Sequence, residues 1–391
     1  MKDFLSRTRR DSFLVFALPL IEEEEISEVI ASMKSGWLGT GPKVAAFEKD
    51  FASYKGVENA AAVNSCTAAL HLALVASGIG RGDEVITTPM TFCATVNAII
   101  HAGATPVLAD IDPITMNIDP DQIQRVITPR TKAIIPVHFA GMPCEMDKIC
   151  NIAKEHNLKI IEDCAHAIET EYRGLKAGTI GDFGCFSFYV TKNIVTGEGG
   201  MVLARNSEDA ARIKILGLHG MSKDAWKRFS DKGYKHYQVI ECGFKYNMMD
   251  IQAAIGLHQL KRVNQYLGRR QQIWDRYMLE LEDLPITLPH VPPSYVKHGL
   301  HLFTLLVEAG QTGGIGRDNF IEAMNERNIG VGVHYLSLPE HPYYQKVLGW
   351  KPENYPNAMR IGRATVSLPI SAKLTDDDVA DVISAVRSVF E

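Results

Sequence analysis

The chain has 391 residues, 46% of them hydrophobic and 22% charged, enough for one large domain and a smaller one. A formal net charge of −5 offers no basic footprint for nucleic acid, so any anion bound here must be held by local geometry. Seven scattered cysteines without a CxxC pair argue against a disulfide framework or a zinc site, and for free thiols in a reducing, cytoplasmic setting.

Residues 13–21, FLVFALPLI, are too short a run to span a bilayer and are followed at once by EEEE. The charged residues before them resemble the start of a signal peptide, but no small-residue cleavage site follows, so a strand or an extended entry segment is expected. Between about 45 and 205 come the apolar runs NAAAVN, DEVITTP, TPVLADI, KAIIPVHF, LKIIEDC, CFSFY and MVLA, separated in several places by helix-length segments such as TAALHLALVASG. Strands alternating with helices predict an α/β architecture with a largely parallel sheet covered on both faces, which binds ligands beyond the carboxyl ends of its strands.

Residues 206–275 read as mostly helical. SEDAARIKILGL starts from Ser207 as the expected N-cap. Residues 249–277 form one long amphipathic stretch with Gly256 and Gly268 as weak points. Residues 220–244 between them are basic, aromatic and unperiodic, and suit a solvated loop or a lid or dimer arm. From about 285 the pattern becomes α+β: HLFTLLVEA as a strand, DNFIEAMNERN as a helix, IGVGVHYL as a strand, and a terminal helix capped by Thr375, with residues 310–316 as a flexible turn. The expected division is 1–275 for the entry segment and large domain and 276–391 for the small one.

Chemistry concentrates at a few strand ends. FSFYVTKNIVTGEGGM places Lys192 in a glycine-rich turn between two expected strands. Asp163 and His166 follow directly on the buried-strand pattern of IIEDCAHAIET. A lysine, an acid and a serine on adjacent strand ends are what a pyridoxal phosphate (PLP) site requires. Asp163 would keep the pyridine nitrogen protonated, while Glu162 points to the other face because strand side chains alternate. Lys192, desolvated and neutral part of the time, would form the Schiff base and carry protons. Ser65, Cys66 and Thr67 begin the helix after VN, where free N–H groups favour a phosphate, and Ser187 could reach the same group. Phe92 could stack on the pyridine ring. Blander readings exist for each: a plain N-cap for Ser65 to Thr67, an N-cap for Asp163, a core aromatic for Phe92. A dinucleotide fold is disfavoured because SGIGRGDE follows a helix and precedes a strand, and no P-loop motif occurs.

The segments SGWLGTGPKVAAFEKDFA, NSCTAALHLAL, GDEVITTPMTFCATVNAI, IIEDCAHA, FSFYVTKNIVTGEGG, GFKYNMMDIQAAIGL and SLPIS resemble the DegT/StrS-type nucleotide-sugar aminotransferases, from about residue 18 to the C-terminus. That resemblance implies an aspartate-aminotransferase-like fold, with a seven-stranded, mostly parallel large-domain sheet, and a homodimer with shared active sites. It implies Lys192 as the Schiff-base lysine, Asp163 on the pyridine nitrogen, His166 near the phenolic oxygen and Phe92 stacked on the ring. Thr67, Ala68 through its backbone and Ser187 would hold the phosphate, and Lys245 or Asn247 would reach the neighbouring subunit's phosphate. Trp37, Thr40, His334 and Tyr335 would line the sugar-nucleotide cleft. Cys66 stands where many relatives carry Gly or Ala, with little effect expected. No metal is implied.

The implied reaction moves an amino group from L-glutamate, which leaves as 2-oxoglutarate, to pyridoxal phosphate and then from pyridoxamine phosphate to a keto group, at C4, of a nucleotide-linked sugar. The product would feed a surface polysaccharide, lipid A modification or a glycosylated metabolite. Rival readings are a sugar dehydratase, opposed by the retained Lys192; another PLP enzyme, such as a lyase acting on amino acids; and a non-catalytic PLP-binding regulator, opposed by Lys192 and by the lack of a basic stripe.

Overall fold

The structure is a computed structural model and describes residues 9–222 and 237–390. Most of the loop or arm expected over 220–244, and the first eight residues, lie outside the described residues.

In chain order, α1 (Glu23–Ser35) and α2 (Pro42–Lys55) precede the alternating region. There β1 (Ala60–Val63) leads to α3 (Cys66–Ala76), β2 (Glu84–Thr87) to α4 (Cys93–His101), β3 (Thr105–Leu108) to α5 (Pro120–Val126), and β4 (Thr131–Ile134) to α6 (Met146–His156). Next come β5 (Lys159–Asp163), the hairpin β6 (Glu171–Tyr172) and β7 (Leu175–Lys176), β8 (Phe183–Ser187) and β9 (Gly200–Ala204). Helices α7 (Ser207–Leu216), α8 (Asp250–Lys261) and α9 (Val263–Glu280) follow. The remainder comprises β10 (Val296–Lys297), β11 (Phe303–Leu306), α10 (Arg317–Glu326), α11 (Pro342–Leu348), α12 (Pro356–Ala364), β12 (Thr365–Leu368) and α13 (Asp376–Phe390).

All seven expected strands join one sheet in the order β1-β9-β8-β5-β4-β2-β3. β9 alone runs antiparallel to its neighbours β1 and β8; β8, β5, β4, β2 and β3 run parallel. The strands are short and buried on both faces, as a helix-covered sheet demands. On one face lies α3, apolar all round and buried from Ala68 to Leu74. On the other, alternation in FSFY sends Phe186 and Phe188 into a cluster with Phe47 and Phe51, where Phe51 meets Phe186 edge to face at 5.0 Å. Such a contact adds about 1 kcal/mol to plain burial. The same alternation leaves Ser187 on the opposite side of β8.

A second core gathers Trp274 and Tyr277 of α9, Phe303 and Leu305 of β11, Val366 of β12 and Val382 of α13 around the antiparallel β11–β12 pair. The entry segment is extended and belongs to this core: Leu14 bridges Ile329 and is itself buried.

Three local expectations are corrected. The N-cap of α7 is Asn206, whose side chain accepts from the Asp209 N–H, so Ser207 is the first helical residue. The long stretch at 249–277 divides at Arg262, where φ −98° and ψ 2° leave the helical range, and not at a glycine. Gly256 is needed for contact, since a Cβ there would stand 2.7 Å from the Phe47 ring. IGVGVHYL forms no strand; Ile329 bridges Leu14 and Gly332 bridges Ser367 as isolated pairs, and the segment beyond places His334 against Ser367 and Tyr335 against His166. Thr375 does cap α13, accepting from the Asp378 N–H at 3.1 Å. Among the described residues no helix is long and apolar enough to cross a membrane.

Candidate active site

Three strand ends build one basin. Beyond β1, Ser65 caps α3 by accepting from the Ala68 N–H at 3.1 Å. That bond occupies the Ala68 backbone group expected to hold phosphate; the Thr67 N–H and hydroxyl make no bond among the described residues and remain available. Gly200 lets this helix end sit directly on β9, because a Cβ there would lie 2.5 Å from the Ser65 carbonyl carbon. Ser187 pairs with Gly200 across β8–β9, which brings it to the same helix N-terminus. Positive dipole and free donors at this end suit a phosphate.

Beyond β5, Asp163 is 4% exposed. Its Oδ2 accepts from Thr95 Oγ1 at 2.8 Å and its Oδ1 from the Ala165 N–H at 3.1 Å. Burial raises its pKa; the Thr95 and Ala165 bonds and the Lys192 charge oppose the rise without cancelling it. A protonated pyridine nitrogen is the partner such a carboxylate is short of. Glu162 indeed faces the other way: it accepts from the N–H groups of Gly178, Ile180 and Gly181 and bonds His138 at 3.0 Å. His138, Glu162 and Cys164 are grouped closely enough to hold a metal ion. However, the His138 Nδ1 already accepts from the Cys144 N–H and both Glu162 oxygens are taken, so the group is a clasp between loops.

Beyond β8, a tight turn presents Lys192. Its N–H bonds the Tyr189 carbonyl at 2.8 Å, Thr196 bonds back to Phe188, and Tyr189 bridges Gly197, which has a φ of +81° that a glycine adopts without strain. Burial pulls the Lys192 amine down to about 8, against the opposing pull of Cys66 and Asp163. Near neutral pH the amine therefore reaches its neutral, nucleophilic form far more often than a surface lysine.

The wall opposite comes from His166, Tyr335 and Phe92. The His166 Nδ1 accepts from the Ala140 N–H at 3.2 Å, so the neutral ring carries its proton on Nε2, which lies 3.0 Å from the Tyr335 hydroxyl. Burial first, then Lys192, drives the His166 pKa well down. Phe92 is no core aromatic: it is 59% exposed, at 6.1 Å from the Tyr335 ring, with a face free to stack on a planar group. His334 bonds Ser367 at 2.9 Å and is lowered to about 4 by burial and Lys192.

The remaining candidates meet elsewhere. Trp37, Thr40, Lys245 and Asn247 line a cleft of about 960 Å³ over the edge strand β1, and Lys192 does not line it. Here the Asn247 Nδ2 donates to Thr40 Oγ1 at 2.6 Å, and Thr40 donates to the Met248 carbonyl at 2.5 Å. Asp250, 1% exposed, accepts from the N–H groups of Gly41, Lys43 and Val44 and so caps α2, whose own N-cap is a glycine. Lys245 is exposed. Thus His334 and Tyr335 stand with Lys192, and Trp37 and Thr40 with Lys245 and Asn247.

Sequence reasoning passed over Thr95, Asp250, Asn193, Glu169, Arg270 and His301. Thr95 and Asp250 lie inside quoted motifs, but their acceptors and donors are remote in sequence. The basin as a whole fits PLP: free donors at a helix N-terminus, an exposed aromatic face, a buried carboxylate and a depressed amine.

Residues 19–387 match the DegT/DnrJ/EryC1/StrS aminotransferase family. The spore coat polysaccharide biosynthesis protein SpsC of Bacillus subtilis is 50% identical over 382 residues, covering 97% of this chain and 98% of that one. Among solved structures, the putative sugar aminotransferase Spr1654 of Streptococcus pneumoniae, in its PMP form, has a TM-score of 0.89 at 34% identity, with 96% of this chain and 97% of that one covered. PseC of Helicobacter pylori, an aminotransferase in pseudoaminic acid biosynthesis, has a TM-score of 0.89 at 30% identity, with 97% and 99% covered. The chain belongs to the DegT/DnrJ/EryC1/StrS aminotransferase family, and it is a PLP-dependent aminotransferase.

Proposed function

We propose that this enzyme moves an amino group from L-glutamate to the C4 keto group of a nucleotide-linked sugar, in the cytoplasm, as a homodimer with shared active sites. The observation that carries the reading is the buried Lys192 amine, lowered to about 8, beside the Asp163 carboxylate at adjoining strand ends. PLP supplies the carbonyl that accepts the amine and the electron-withdrawing ring that stabilises negative charge at the reacting carbon. Thr67 and Ser187 anchor its phosphate, Phe92 covers its ring, and His166 donates through Nε2 toward its phenolic side. Asp163 keeps the ring nitrogen protonated. Lys192 holds the resting cofactor and then carries the proton between the donor carbon and the cofactor, once in each half of a ping-pong cycle.

The cleft over β1 serves the neighbouring subunit in this reading. Asn247 is tied to Thr40, whereas Lys245 is exposed, which favours Lys245 as the residue that reaches the partner's cofactor phosphate. Trp37 offers a 51% exposed face for a nucleotide base. The names of SpsC and PseC, which belong to polysaccharide and pseudoaminic acid biosynthesis, support a sugar acceptor whose product enters a surface glycan.

The test is stopped-flow absorbance with glutamate alone, followed by UDP-, dTDP- and GDP-linked keto sugars. Conversion by glutamate of the PLP to the pyridoxamine form, reversed by one of the 4-keto sugars, is expected. No conversion by glutamate, or reversal only by free keto acids, overturns the assignment.

A further inference from the structure

Behind Lys192 lies a buried polar chain that the steps above do not use. Asn193, the next residue, donates from Nδ2 to Glu169 Oε2 at 2.7 Å and to the Gly299 carbonyl at 2.9 Å. Its Oδ1 lies 2.8 Å from the Nδ1 of His301. Glu169 is in turn paired with Arg270 inside the protein, where the two are 1% and 2% exposed. His301 is 6% exposed, and its ring centroid lies 4.3 Å from that of His166.

The proton positions follow from the partners. A carboxylate and a carbonyl only accept, so the Asn193 amide can face them only with its nitrogen. Its oxygen must then accept from His301, which places a proton on Nδ1. Burial and the Lys192 charge both weigh against a second proton on that ring. The neutral ring then bears a bare Nε2. The neighbouring His166 has the opposite tautomer, because its Nδ1 is the accepting atom.

Taking Lys192 as the reacting lysine, we propose that Asn193 is a positioning residue for the reaction: its carboxamide clamps the Lys192 turn to residues 299–301 and holds His301 as the Nδ1–H tautomer, leaving Nε2 to accept a proton. Three anchors from two separate stretches of chain fix the backbone next to the lysine, so the amine swings from a stationary base. Glu169 orients the amide through one carboxylate oxygen, and Arg270 donates to the other.

The tautomer is measured on cofactor-free protein by long-range proton–nitrogen NMR of the histidine rings, with the His301 signals assigned from a His301→Gln variant. The wild type is expected to show Nδ1–H, and Asn193→Ala to show a tautomer mixture. In the PLP-loaded enzyme, Asn193→Ala is expected to lower kcat about 10- to 100-fold, the loss of one to two strong hydrogen bonds, with little change in the KM for glutamate. Asn193→Asp sets a second carboxylate against Glu169 and is expected to do worse. Combining it with Glu169→Gln removes the repulsion between the two carboxylates and restores a donor between the two side chains, leaving only the Gly299 carbonyl without its bond, and is expected to recover about tenfold of the loss. A wild-type Nε2–H tautomer or imidazolium overturns the proposal, as does a swapped pair no better than Asn193→Asp alone. If Asn193→Ala does not fold, the wild-type spectrum and the swapped pair decide. Failure of borohydride to fix PLP on Lys192 would instead sink the catalytic reading and leave the tautomer result standing.

Discussion

The basin at the strand ends and the cleft over β1 contain similar residue types under opposite conditions. In the basin a lysine is depressed to about 8, three histidines are driven neutral and a tyrosine is held against a buried imidazole. In the cleft Lys245 is exposed and Trp37 presents half its surface to solvent. Burial sets proton affinities, so the first region is built for chemistry. The second is fixed by caps, backbone bonds and the Asn247–Thr40 bond, which leave Trp37 and Lys245 exposed, as recognition requires. On the proposed reading, reactivity belongs to strand ends under cover, and selectivity to stapled loops in the open.

The sharpest way to break this contrast is Lys192→Ala. It is expected to lower kcat by roughly 10⁴-fold, the upper range for a lost acid–base group, while the folded protein still binds pyridoxamine phosphate. Full turnover would place the chemistry elsewhere. Asp163→Asn keeps the shape and the Thr95 contact but removes a charge-assisted bond, so about 100-fold in kcat should go, measured in the glutamate half-reaction alone.

Titration sharpens the comparison without mutation. In cofactor-free protein, acylation of Lys192 followed by mass spectrometry should rise through pH about 8, whereas exposed lysines rise near their usual value of about 10.4. The sign for stability follows. The folded pKa lies below the unfolded one, so between those values the unfolded chain binds the extra proton, and this group adds stability as pH rises across the interval. A Lys192 that labels together with the surface lysines would contradict its burial.

Smaller effects belong to the cleft. Asp250→Ala strips the cap from α2 and leaves three N–H groups short of an acceptor, which should cost about 2 kcal/mol in chemical unfolding. Lys245→Ala removes one exposed charge and should weaken cofactor retention by about fivefold, read from PLP release on dilution, with kcat intact. A larger loss than that of Asp163→Asn would reverse the ranking of the two regions.

Most of the large-domain sheet was legible, because each strand is a short apolar run between turn signals, and Asp163, Ser187 and Lys192 lie where such runs stop. The face of Glu162 followed from alternation alone. The strand expected in IGVGVHYL failed because its apolar residues serve a bent segment that delivers His334 and Tyr335 to the basin. The split at Arg262 was hidden because both flanking helices share one amphipathic pattern. The division of candidates into two places could not be read, since it depends on Asn247 and Thr40, 207 residues apart, closing a hydrogen bond. Likewise Asn193 was invisible as more than a neighbour of the lysine, because its partners Glu169, Gly299 and His301 are set by tertiary packing.

The remote cap on α2 bears on how the protein is made. Gly41 and Asp250 are 209 positions apart, so as the chain leaves the ribosome the second helix begins without the group that completes its first turn. Its start, and the tryptophan-bearing loop before it, can settle only after nearly two-thirds of the polypeptide has emerged and folded back. A nascent fragment ending short of residue 250 would thus own every strand of the large sheet yet still have a loose lip on its outer edge.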